Sequence, residues 1–152
     1  MYLTRPLIFA TLFSVGFLLL YVLIGTLGWA ADEESLRSIG DVSRWCERVH
    51  PGIFREPVNA LSNIAFMVAG ILMLYVLTQD PSSKDKDHRF QGLDPISNTY
   101  AFAVIWLGAA SMLMHGTHTY WGGWADNVGM IMYILLPWLI NVGEMGRWSS
   151  RR

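Results

Sequence analysis

The chain has 152 residues, of which 53% are hydrophobic and 15% charged, where a soluble domain carries roughly a quarter charged. A net charge of −1 leaves no basic surplus to hold nucleic acid, and a single cysteine excludes an internal disulfide or a cysteine-built zinc site. The composition is that of a membrane protein. Residues 7–29 carry no charge over 23 positions, and a helix needs roughly 20 to cross the hydrocarbon core. Arg5 before this stretch and Ala30-Ala31 after it are also marks of a signal peptide. Signal cores run about 7–15 apolar residues, so the longer stretch here is expected to be a retained anchor.

Three more uncharged stretches follow at 58–78, 96–114 and 127–143, with lengths of 21, 19 and 17 residues. The last is the shortest, and Pro137 inside it is expected to kink it, which neighbouring helices can accommodate. The fold expected is therefore an all-α, polytopic transmembrane helix bundle of four spans, with no internal repeat. Residues 80–94, with Pro81, Ser82, Ser83 and alternating charge, read as a solvated connector, and His88 within it as a surface residue. With both termini in the cytoplasm, seven Lys and Arg fall inside (Arg5, Lys84, Lys86, Arg89, Arg147, Arg151, Arg152) and four outside (Arg37, Arg44, Arg48, Arg55). The positive-inside rule favours that orientation, which puts the 30–56 loop at the outer face.

Polar side chains at membrane depth are costly and are functional candidates by default. Glu56, Asn59 and Asn63 fall at i, i+3 and i+7 after Pro57 opens a helix, and so form one polar stripe at the start of the second span. Their plain reading is helix capping and interhelical hydrogen bonding. Ser111 and His115, one turn apart, share a face at the end of the third span. Asp126 stands at the mouth of the fourth span, where an Asp is commonly an N-cap. A short hairpin with Gly116, Gly122 and Gly123 is expected between the third and fourth spans, and Tyr120, Trp121 and Trp124 in it suit an interfacial aromatic belt. Topology returns all these groups to one membrane face, and a carboxylate, an imidazole and a hydroxyl there have the makings of a metal-hydroxide site.

The residues that carry these groups form a recognisable order: Trp45-Cys46-Glu47-Arg48; Glu56-Pro57-Val58-Asn59-Ala60-Leu61-Ser62-Asn63; Gly108-Ala109-Ala110-Ser111-Met112-Leu113-Met114-His115; Tyr120-Trp121; Asp126. This resembles the alkaline ceramidase family, part of a superfamily of seven-helix membrane hydrolases that also includes the progestin and adipoQ receptors. The likeness covers 41–133 and the family's first three helices, preceded here by one extra span. It divides the chain into an N-terminal anchor and loop at 1–40 and a ceramidase-like membrane domain at 41–152, expected to be a C-terminally incomplete part of a larger seven-helix architecture. It implies a zinc amidase that cleaves the N-acyl bond of ceramide-like lipids to a fatty acid and a sphingoid base. His115 takes the place of a zinc ligand, Asp126 that of the carboxylate holding the zinc-bound water, and Ser111 that of the serine supporting this water and the oxyanion. Glu47, Glu56 and the Trp45 carbonyl take the places of calcium ligands, although Arg44 and Val49 stand where eukaryotic relatives have acidic and amide ligands. Partners implied are a ceramide-like lipid substrate, the bilayer and, to complete the bundle, a homo-oligomer.

The family's other two zinc histidines lie as His-x-x-x-His on its last helix, and nothing after His118 supplies them here. One expectation is that the chain alone binds metal poorly. A variant recruits His50 and His118, on the same side as His115, with Asn59 as an accessory polar group. A reading from another class is a non-catalytic, receptor-like or structural membrane protein with a relic polar cluster. A transporter is a third, weakened by the lack of paired broken helices.

Overall fold

The computed structural model describes residues 4–29, 33–79 and 95–145. They form six helices: α1 (Arg5–Leu27), α2 (Glu33–Arg37), α3 (Pro57–Ser62), α4 (Ile64–Gln79), α5 (Pro95–Thr117) and α6 (Tyr120–Met145). Four helical segments are long and apolar enough to cross a membrane: Arg5–Leu27, Pro57–Gln79, Pro95–Thr117 and Tyr120–Gly143. The expected four-span, all-α architecture is present, and only one isolated β-bridge, Val42 to Arg48, interrupts it among the described residues. The connector 80–94, with His88, lies outside the described residues.

α5 is the centre of the bundle, packed against α1, α3, α4 and α6. Its buried positions include Ala101, Ala103, Gly108, Ala109 and Ala110, and small residues are what let apolar helices approach where no hydrophobic driving force exists between them. A Cβ on Gly108 would stand 2.7 Å from the Asn63 carbonyl oxygen, and one on Gly70 would stand 2.7 Å from the Ala101 carbonyl. These two glycines set the α4–α5 spacing. α3 and α4 are one span with a break at Asn63, whose side chain donates to the Asn59 carbonyl at 2.8 Å.

The fourth span differs from its expectation. α6 begins at Tyr120, so Gly122 and Gly123 are helical, and Asp126 lies inside the helix rather than at its N-cap. The start signal is Thr119, whose Oγ1 accepts the Gly122 N–H at 3.2 Å, as a threonine cap does. The turn between α5 and α6 is only His118 and Thr119. Gly122 permits this closeness, because a Cβ there would stand 3.1 Å from the Leu113 carbonyl and the Thr117 hydroxyl. α6 continues as helix through Pro137.

α1 is joined to the bundle by aromatic side chains. Tyr21 is buried, and its hydroxyl donates to the Ile53 carbonyl at 3.0 Å; Trp29 Nε1 donates to the same oxygen at 3.0 Å. The Tyr21 ring stacks on Phe54 at 5.2 Å, and its hydroxyl lies where a Cβ on Gly116 would stand. The end of α1 therefore fixes both the 50–56 segment and the end of α5.

Candidate functional site

The loop before α3 is a folded hairpin rather than a tether. Gly40 N–H donates to the Val49 carbonyl at 2.9 Å, Val49 N–H to the Asp41 carbonyl at 2.9 Å, and Cys46 N–H to the Ser43 carbonyl at 3.0 Å. Cys46 closes the turn with φ 64°. The hairpin brings Glu47 to the start of α3, where its carboxylate accepts the backbone N–H groups of Val58 at 2.7 Å and Asn59 at 2.8 Å. Those donors have no partner within a helix, so Glu47 caps α3 from outside. The same hairpin lays the Trp45 ring edge-on to His115, centroids 5.0 Å apart, with the Arg44 guanidinium 4.1 Å above the indole.

Glu56 is the buried centre of the site, with 0% of its surface exposed. Its Oε2 lies 2.6 Å from His115 Nδ1 and accepts from Asn59 Nδ2 at 2.9 Å, while Oε1 lies 2.9 Å from His118 Nε2. Backbone bonds weld the same segments together: Glu56 N–H donates to the His115 carbonyl at 3.0 Å and Arg55 N–H to the Gly116 carbonyl at 2.9 Å. Burial pushes the Glu56 carboxyl up. Hydrogen bonding by Ser43, Asn59 and His115, with the charge of His115, outweighs it and holds the group below the usual carboxylate range.

Ser111, His115 and Asp126 line one cavity of about 380 Å³, with Trp45, Asn63 and Asn127. Asp126 Oδ1 is buried there without a hydrogen-bond partner among the described residues, an arrangement that calls for a polar ligand. On the far side of Trp45, His118 lines a second cavity of about 340 Å³ with Ser35, Ser38 and Tyr120. The imidazole of His115 and the carboxylate of Asp126 are thus brought to one space, as their placement on facing helix ends predicts. His50 lines neither cavity: its side chain is exposed, and its backbone N–H donates to the Arg55 carbonyl at 2.7 Å. Tyr120, Trp121 and Trp124 are exposed on the first turns of α6.

Sequence reasoning paired Glu56 with Asn59 but missed its union with both histidines, and it missed Tyr21, Ser43 and Thr119. A signal for the last was present in the Thr-His-Thr that closes α5. The metals expected are only partly matched by donors. Among the described residues no three His, Cys, Asp or Glu side chains gather as a metal cage, so His115 stands as a single nitrogen where catalytic zinc takes three protein ligands. Calcium takes 6–8 oxygens. Here the Glu47 carboxylate is committed to the α3 backbone, that of Glu56 to two imidazoles, and Arg44 adds a positive charge beside Trp45. The residues present do not fit that ion.

Four apolar helices fit a multi-pass membrane protein, and its polar cavity is lined by the Trp45 hairpin and by residues of α4, α5 and α6, with a hydroxyl, an imidazole and a carboxylate among them. The Ceramidase family model matches residues 42–151, and the chain belongs to that family. No curated protein and no solved structure matches it. The matched segment begins after α1 and α2, so the aromatic brace from α1 lies outside it.

Proposed function

We propose that this protein is an integral-membrane hydrolase that cleaves the N-acyl amide bond of ceramide-like lipids, releasing a fatty acid and a sphingoid amine. The observation that carries this reading is the shared cavity of Ser111, His115 and Asp126, with a buried Asp126 oxygen that has no hydrogen-bond partner among the described residues. Family membership supports the amide-hydrolase class. Amide hydrolysis requires an activated water and stabilisation of a tetrahedral oxyanion. Asp126 accepts a proton from water as its oxygen bonds to the carbonyl carbon, and the Ser111 hydroxyl donates to the oxyanion. The C–N bond then breaks, and the proton held by Asp126 passes to the leaving nitrogen.

A lipid substrate suits the surroundings. A groove of about 390 Å³ runs along α6 past Met130, Ile134 and Trp138, and it shares Asn127 and Met130 with the polar cavity. Its apolar lining suits an acyl chain entering from the bilayer. Zinc enters this reading with His115 as one ligand and its other donors outside the described residues; it would polarise the amide carbonyl and acidify water. A second copy of the chain is one source of such donors. The shortage of donors among the described residues favours the competing reading, a non-catalytic membrane protein whose polar cluster serves packing.

The test is release of labelled fatty acid from an N-acyl sphingoid lipid by the purified protein in lipid nanodiscs, with zinc supplied. The expected result is turnover in the wild type, reduced at least about 100-fold in Asp126→Asn, with Ser111→Ala losing about 10²-fold or more. Absence of release from well-folded wild-type protein selects the non-catalytic reading.

A further inference from the structure

Two imidazoles converge on one carboxylate at Glu56, and the acceptor dictates where their hydrogens sit. An ionised carboxylate only accepts, and a neutral imidazole carries one hydrogen. With Oε2 at 2.6 Å from His115 Nδ1 and Oε1 at 2.9 Å from His118 Nε2, both of those nitrogens are donors. His115 Nε2, on the other side of its ring, is then a bare lone pair. We propose that Glu56 and His118 are positioning residues that lock His115 in its Nδ1–H tautomer and present the Nε2 lone pair to the cavity of Ser111 and Asp126. This assigns Glu56 to the histidines rather than to a calcium ion.

Three independent features hold this arrangement. Glu56 is wholly enclosed, so both oxygens must be paired within the protein. His118 adopts φ 54° at the end of α5, a position where glycine is usual. The Thr117 and Thr119 hydroxyls, 2.7 Å apart, fix that turn, and the strained backbone delivers the ring to Oε1. Finally, Trp45 packs edge-on to the His115 ring and limits its rotation. An imidazole whose second nitrogen is fixed by a carboxylate is a better and better-aimed lone-pair donor.

The catalytic value of this lock depends on the hydrolase reading; the tautomer does not. The experiment is a long-range ¹H–¹⁵N correlation spectrum of the full chain in nanodiscs with ¹⁵N-labelled histidine, at about pH 8, above the ordinary imidazole range. The expected wild-type spectrum has His115 Nδ1 at a protonated shift and Nε2 at the bare-nitrogen shift, tens of ppm away. In Glu56→Gln the amide accepts only through its oxygen, and in His118→Ala the carboxylate loses one anchor. Both variants should move His115 towards the Nε2–H form that prevails in water, while His50→Ala leaves the pattern unchanged. An Nε2–H form in the wild type overturns the proposal without any variant, as does a His115 pattern that either substitution leaves untouched. Millimolar calcium that displaces the His115 signals overturns it too, by returning Glu56 to a cation. The two readings separate cleanly: an Nδ1–H ring with no fatty-acid release removes the hydrolase alone, and release with an Nε2–H ring removes the lock alone.

Discussion

A carboxylate with no exposed surface is tolerated only when its oxygens are taken, and at Glu56 three side chains take them. That arrangement has a pH signature. Its partners hold the folded-state carboxyl below its unfolded value, so the stabilisation is present above the unfolded range, about 4.3 for glutamate. It is lost as pH falls through the lower, folded value. The melting temperature of the wild type should therefore drop on acidification below about pH 4.3, and Glu56→Gln, with nothing to protonate, should show a shallower acid slope from a lower starting point. Parallel acid slopes for the two proteins, read by circular dichroism in detergent, would mean that the pairing seen around Glu56 adds no net stability. Asp126 obeys the opposite logic. Its buried oxygen has no hydrogen-bond partner among the described residues, so on the proposed hydrolase reading Asp126→Asn should cost activity rather than stability.

At the scale of elements, the feature that aims the site is the contact of α1 with the α5 end. Tyr21 fills the space that the missing Gly116 side chain leaves, and its hydroxyl bonds to the Ile53 carbonyl two residues before Arg55. Gly116→Ala should destabilise the protein by about 1–3 kcal/mol through overpacking. Tyr21→Phe should cost about 1 kcal/mol for its hydrogen bond. Together they should cost less than the sum, because the clash involves the hydroxyl, and a double-mutant cycle in thermal or denaturant unfolding reads the coupling. Full additivity would show that Tyr21 and Gly116 do not touch. None of this was legible in the chain. Runs of uncharged residues are strong, one-dimensional signals, and they placed four spans; the pairing of Tyr21 with Gly116 depends on which helix faces meet, which hydropathy does not encode. The start of α6 was misplaced for a local reason. Gly122 and Gly123 read as turn residues, yet both are helical; Gly122 is the thin point pressed against Leu113 and Thr117, and Thr119 is the actual cap. Ser111, His115 and Asp126 came together as expected because helical spacing and chain reversal alone bring them to one end. Glu56 was given to a calcium ion by the family resemblance alone, whereas the structure gives its oxygens to His115 and His118.

For the whole molecule, the open question with a direct physical answer is which side of the membrane holds the site. Four spans return the chain to the side where α1 begins, and the hairpin carrying Trp45 stands at the opposite end of the bundle, against His115. The distribution of Lys and Arg, seven against four, favours cytoplasmic termini, which sets the hairpin outside. Cys46 makes this measurable. It is the one cysteine in the sequence, it is exposed, and it sits at the tip of that hairpin beside the site. A membrane-impermeant maleimide applied to intact cells should therefore label the wild-type protein without permeabilisation, and Cys46→Ser should abolish the label. Because Cys46 is outside the cavity lining and exposed, serine should leave the fold and the Glu56 cluster as they are. Labelling that appears only after the membrane is opened would reverse the orientation: water for the reaction would then come from the cytoplasm, and the four arginines of the hairpin side would outweigh the seven opposite cations. The internal geometry of Glu56, His115 and Asp126 would stand in either case, since the bundle itself holds those groups together and the membrane only decides which solution they face.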